Sequence, residues 1–143
     1  MTEPKVWVFF YGSYMNFGVL REVDLLPERW EVGQLNGFHI RIRPRANLIR
    51  SHRDSVYGIA ATATHAELNR LYAHAQEVLG EVYFPEAVLV HLGSESWRVC
   101  LCYICPEMIP RQPEAVYVQR ILEPAREFGF PSWYIERLES FLT

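Results

Sequence analysis

The chain predicts an α+β fold on a mixed, strongly curled sheet. Three observations carry this. Apolar runs of strand length recur, several of them joined by hairpin-type turns, where a doubly wound protein would alternate strand with helix. One amphipathic helix stands mid-chain, opened by the capping box Thr64-His65-Ala66-Glu67. Two more helices close the chain around Gly129. With 143 residues, 50% of them apolar, the chain suits one domain over residues 1–143, and its core needs neither disulfide nor metal.

The first element is Val6 to Phe10, an unbroken apolar run that reads as a strand buried on both faces. It stops at Tyr11-Gly12-Ser13. Gly12 permits a sharp turn and a close approach of the backbone to a ligand. Ser13 stands as N-cap for a short helix from Asn16 to Val23. Pro27 marks a loop. Trp30 to Leu35 and Phe38 to Arg43 read as two arms of a hairpin about Asn36-Gly37, ended by Pro44. The polar stretch from Arg45 to Asp54 reads as a loop. Arg41, Arg43, Arg45, Arg50 and Arg53 form a basic cluster. Strand alternation favours a solvated face for it over recruitment of an anionic substrate.

Val56 to Thr62 is the next strand, with Gly58 marking a bulge or a close approach. The capped helix then lines up Leu68, Leu71, Tyr72, Ala75 and Leu79 on one apolar face and stops at Gly80. Tyr83 to His91 is a strand whose Pro85 indicates an edge or a bulge. Gly93 to Ser96 turns the chain back into Trp97 to Cys105. Pro106 to Pro113 is a loop. Glu114 to Phe128 is a helix kinked at Pro124. Gly129 ends it, and Pro131 opens a last helix through Leu142. The apolar spacing from Phe128 to Phe141 fits core packing; a homodimer surface is the competing use.

A net charge of −3 gives no sign of a nucleic-acid surface. No stretch approaches a membrane span, and the apolar start is too short for a signal peptide. Cys100, Cys102 and Cys105 are odd in number, clustered in one strand and without zinc spacing. They read as reduced, buried thiols in a cytoplasmic protein. The five histidines show no paired-ligand spacing, so no metal is expected, and no Gly-x-Ser-x-Gly elbow is present. What remains is a turn from Tyr11 to Met15 whose amides converge on an anion seat, with carboxylates elsewhere for proton transfer.

Tyr11-Gly12-Ser13 after an apolar strand resembles the signature turn of the γ-glutamyl cyclotransferase family, whose usual form is Tyr-Gly-Ser-Asn. Other features agree in order. Arg45-Ala46-Asn47 precedes a strand with Tyr57-Gly58-Ile59, then a helix with Glu67, Leu68 and Leu71, then a strand opening with Tyr83. The closing Ala125 to Tyr134 segment, with Gly129 and Pro131, is similar to the family's last helix pair. The resemblance implies a small curled β-barrel flanked by helices. It implies attack of a substrate's α-amine on its own γ-carbonyl, releasing 5-oxoproline and a free amine without a cofactor. The partner it implies is a small-molecule γ-glutamyl compound. By the same resemblance Tyr11, Gly12, Ser13 and Tyr14 hold the glutamyl portion, Tyr134 lines the pocket, and a glutamate moves the proton.

Two departures stand out. Tyr14 replaces the usual Asn of the turn. The family's glutamate, counted forward along the helix, falls on Ala75; counted back from Tyr83, it falls on Glu77. At ~100° per residue a regular helix turns Glu77 away from the Leu68 face, unless the helix slips by one residue. Glu81, just past Gly80, is the second candidate, and Glu86 a remoter one. The sequence therefore supports an enzyme using Glu77 or Glu81, or a catalytically degenerate, metabolite-binding module of the same fold.

Overall fold

The computed structural model describes residues 3–143. Five strands, β1 (Lys5–Phe10), β2 (Trp30–Ile42), β3 (Ala46–Thr64), β4 (Phe84–Leu92) and β5 (Trp97–Ile104), close into a barrel. Their order is β1-β3-β2-β4-β5. Neighbours are antiparallel except β1 and β5, which meet in parallel at Val8 and Leu101 and make the sheet mixed. Around the barrel lie α1 (Phe17–Glu22), α2 (His65–His74), α3 (Ala115–Glu127) and α4 (Ser132–Glu139). Phe9, Leu35, Ile40, Ile42 and Ile59 are fully buried, together with Leu68, Leu71, Val118, Ile121, Leu122 and Leu138 from the helices.

Burial on both faces holds for the second half of β1. Val8, Phe9 and Phe10 are buried, whereas Val6 and Trp7 are half-buried. The expected hairpin at Asn36-Gly37 is not formed. β2 runs straight through, and the strong turn dipeptide is used as an irregularity within the strand. Gly37 sits at φ +89°, a conformation that glycine adopts without penalty. Across it the register steps from Asn36 opposite Ser55 to Phe38 opposite Arg50, so residues 51–54 bulge out of β3. Ser51 Oγ donates to Asp54 Oδ2 (2.5 Å) within that bulge. The chain reverses at Pro44 instead, where Arg43 N donates to Arg45 O (3.3 Å). The expected loop from Arg45 to Asp54 is therefore largely strand: Ala46 and Leu48 point into the core, while Asn47 and the exposed Ile49 alternate outward.

Ser13 does not cap a helix with its side chain. It opens a 3₁₀ turn, Ser13–Met15, and Asn16 caps α1 by accepting from Gly18 N (3.0 Å). Asn16 has a second task. Pro124 in α3 has no N–H, which leaves the Arg120 carbonyl without its helical donor. Asn16 Nδ2 donates to that carbonyl (3.2 Å). Pro131 is the capping residue of α4, its carbonyl accepting from Tyr134 N (2.9 Å) and Ile135 N (3.0 Å). Phe130, Tyr134 and Leu138 are buried in the chain's own core.

The capping box of α2 forms in full: Glu67 N donates to Thr64 Oγ1 (3.0 Å) and Thr64 N to Glu67 Oε1 (2.8 Å). Beyond His74 the helix widens into a π turn, Ala75–Leu79, and ends at Gly80. No helix among the described residues is long and apolar enough to cross a membrane. No cluster of three metal-ligating side chains occurs among them.

Candidate active site at the first bend

β1 delivers its last residues to a bend that touches the start of β3. A Cβ added to Gly12 would lie 2.6 Å from Ala46 Cβ, so only glycine lets the two segments approach this closely. In the 3₁₀ turn that follows, Met15 N donates to Gly12 O and Asn16 N to Ser13 O, each at 3.0 Å. The leading amides of such a turn, Ser13 and Tyr14, have no acceptor inside it. These are the amides to which the sequence reading assigns an anion seat.

Beside these amides lies a narrow cavity of about 30 Å³. Its wall is phenolic. Tyr11 and Tyr14 come from the bend, Tyr72 from α2, Tyr83 from the approach to β4, Tyr103 from β5 and Tyr117 from α3. Leu79, from the π turn, Ala46 and Phe10 complete it together with Gly12 and Ser13 of the bend. Ala46 fixes two of the phenols through its main chain: Tyr83 Oη donates to Ala46 O (2.6 Å), and Ala46 N donates to Tyr117 Oη (2.9 Å). Tyr11 Oη donates to Tyr103 O (2.6 Å), and the Tyr72 and Tyr103 rings stack at 3.8 Å.

Burial raises the pKa of all six phenols. For Tyr117 the effect is opposed by the Ala46 amide, the Ser13 hydroxyl and the Arg45 guanidinium, yet the net direction remains upward. At neutral pH the wall is therefore uncharged. It can donate and accept hydrogen bonds, but it offers no base.

An outer cleft shares Ser13, Tyr14, Leu79 and Tyr117 with the cavity. The cleft adds charge: Arg45, Arg120, Glu22, Glu114 and His74. Arg120 Nη1 lies 3.8 Å from Glu22 Oε2. The Arg45 guanidinium lies over the Tyr117 ring, 4.7 Å from its centroid, and its Nε is buried without a hydrogen-bond partner.

The structure brings Tyr11, Gly12, Ser13 and Tyr14 together in one wall, and it separates the other candidates from them. The helix does slip at its end, but the slip turns Leu79 toward the cavity and leaves Glu77 exposed in a hollow with Asp24 and Arg70. Glu81 is half-buried in a different cleft, with Phe84 and Arg111, where Cys105 Sγ approaches Glu81 Oε2 at 3.7 Å. It is outside the cavity wall, although its charge reaches inward and helps raise Tyr83 and Tyr117. Glu86 is paired with Arg50. Tyr134 is fully buried away from the cavity, against Tyr57 (centroids 5.3 Å apart) and Phe130 (6.0 Å). Within the basic cluster only Arg45 reaches the site; Arg41 and Arg43 line a separate hollow. Sequence reasoning missed Tyr117 and Tyr103 as wall residues. The available signal for Tyr117 was its position four residues before Ile121, on the inward face of α3.

No protein-family model matches the chain, and no curated protein matches it. Solved structures do. A γ-glutamyl cyclotransferase superimposes with a TM-score of 0.78 at 21% identity, over 96% of this chain and 88% of that one. An uncharacterized protein from Homo sapiens gives 0.80 at 21% identity over the same shares. A yeast γ-glutamyl cyclotransferase specific to glutathione gives 0.65 at 14% identity, over 96% of this chain and 95% of that one. The fold is that of the γ-glutamyl cyclotransferases, an α+β fold with a curled mixed sheet and flanking helices.

Proposed function

We propose that the chain binds a small γ-glutamyl compound at the first bend and does not itself carry the proton for its cyclisation. The binding half is supported by the fold, by the leading amides of Ser13 and Tyr14, and by an outer cleft of about 220 Å³ that shares Ser13, Tyr14, Leu79 and Tyr117 with the narrow cavity beside them. The single observation behind the second half is the wall's composition. Cyclisation requires a group that takes a proton from the attacking amine and returns one to the leaving nitrogen, within hydrogen-bond reach and with a pKa near the working pH. The wall holds phenols raised by burial and, at the helix end, Leu79, but no carboxylate. The three free, buried thiols support a reducing compartment such as the cytoplasm.

One observation favours a second reading. Glu81 lies behind the wall, and its charge is felt at Tyr83 and Tyr117. If it carries the proton, the chain is a cofactor-free cyclotransferase that cleaves a γ-glutamyl amide to 5-oxoproline and an amine. A panel of γ-glutamyl compounds, including the glutathione to which the yeast neighbour is specific, tests both readings. Thermal stabilisation without 5-oxoproline release is the expected result. Release that disappears in Glu81→Gln would establish the second reading, and stabilisation by no compound in the panel would remove both.

A further inference from the structure

We propose that the hollow between the Pro44 reversal and the end of β5 is a second ligand site, which takes a small phosphate monoester with an apolar body. It is independent of the γ-glutamyl reading and shares no residue with the first-bend cavity. Arg41, Arg43 and Leu48 line it from the β2–β3 arm, and Ile104, Pro106 and Met108 from β5 and the loop that follows. Ile40 and Ile42 are fully buried, so strand alternation turns Arg41 and Arg43 to the outer face. Two positions apart on one strand face, their Cα atoms are separated by about 7 Å, within reach of a single anion for two long side chains. Asn47 ties the two sides of the hollow together. Its Nδ2 donates to Cys105 O (2.7 Å), and its Oδ1 accepts from Cys105 N (2.9 Å).

Charge pairing along this arm leaves these two cations over. Arg50 is paired with Glu86, and Asp54 is shared by His39 (3.9 Å) and Arg137 (3.2 Å). Neither Arg41 nor Arg43 enters an ion pair among the described residues. No carboxylate lines the hollow; Glu81 and Glu107 line the adjoining one. Arg43 is exposed and Arg41 half-buried, so a ligand arriving from solvent can meet both. Two unpaired guanidinium forks match a dianion better than a single carboxylate, and a phosphate monoester presents three acceptor oxygens with nearly two charges at neutral pH. The volume is about 190 Å³. That is below the ~300 Å³ at which drug-sized sites begin, so the ligand is a headgroup with a few carbons or one ring. Leu48, Ile104 and Met108 offer this body an apolar surface that a bare phosphate ion cannot use.

Phenyl phosphate is the probe, with benzoate and inorganic phosphate as comparisons that lack the dianion and the ring respectively. Calorimetric titration of the full chain should show phenyl phosphate binding roughly ten-fold tighter than either. Arg41→Gln and Arg43→Gln should each weaken it about five-fold or more. Arg21→Gln, which removes an exposed charge from α1, should leave it unchanged. Lowering the pH from about 7.5 to about 5.5 takes the ester through its second pKa of about 6, so phenyl phosphate should weaken more than benzoate. Methyl-labelled methionine resonances locate the probe, because Met108 lines the hollow and Met15 is fully buried at the first bend. The Met108 methyl should shift during the titration and the Met15 methyl should not. A Met15 shift with Met108 unmoved would place the probe at the first bend and overturn the inference. Absence of binding, an affinity no better than that of benzoate or inorganic phosphate, or an affinity preserved in both arginine variants would overturn it as well. None of these outcomes removes the γ-glutamyl reading, which different compounds test.

Discussion

Ala46 is the residue through which the cavity is built. Its amide and carbonyl each take a phenol, and its Cβ abuts the bend at Gly12. The contact leaves no room for a side chain at Gly12, because a Cβ–Cβ separation of 2.6 Å is well inside van der Waals contact and both atoms would be held by backbone. Gly12→Ala should therefore destabilise the fold by about 1–3 kcal/mol, the usual cost of forcing a methyl into a packed site. It should also move the Ser13 and Tyr14 amides and abolish ligand-induced stabilisation. The compensating pair Gly12→Ala with Ala46→Gly removes the clash, and urea midpoints should show part of the loss recovered. If Gly12→Ala alone melts like the wild type, the bend and β3 do not meet this closely.

At the scale of elements, one side chain couples two helices that lie far apart in sequence. Asn16 caps α1 with its oxygen and supplies its nitrogen to the α3 carbonyl that Pro124 leaves without a donor. Asn16→Ala should lose both bonds, a cost of roughly 1–2 kcal/mol with the cap dominant. Asn16→Asp keeps the capping oxygen and should lose less. Equal urea midpoints for the two variants would mean the contact to α3 carries most of the effect. The same elements show what sequence can reveal. The capping box at Thr64 and the stop at Gly80 are decided by a few neighbouring residues, and they were legible. The Asn36-Gly37 dipeptide does place a glycine at positive φ, but whether that makes a turn or a bulge depends on the partner strand, which is not local information. The site divides in the same way. Its bend is one contiguous stretch and could be read. Its opposite wall could not, because Tyr117 is 71 positions away from the Ala46 amide it receives.

Across the whole molecule, the feature with the largest consequence for stability is the number of buried phenols. Tyr11, Tyr14, Tyr72, Tyr83, Tyr103, Tyr117 and Tyr134 all have pKa values raised above the ordinary 10.0, in each case chiefly by burial. Burial also pushes the Cys100 thiol up to about 11. The sign of the linkage follows from these directions. Below about pH 10 the phenols are protonated in both the folded and the unfolded chain, and their contribution to stability is fully present. Above it the unfolded chain releases protons that the folded chain retains, so unfolding becomes more favourable as pH rises through the folded values. Each fully buried phenol that must ionise on unfolding removes about 1.4 kcal/mol per pH unit, and two or three together would exhaust the stability of an ordinary domain within two or three units. The chain should therefore unfold steeply and cooperatively in alkali. Tyrosinate absorbance and loss of far-ultraviolet circular dichroism should rise along one curve, with little change in either below pH 10. Full tyrosinate absorbance near pH 10.5 with the dichroism intact would mean that the phenols are open to water, and that the cavity wall they form is not closed.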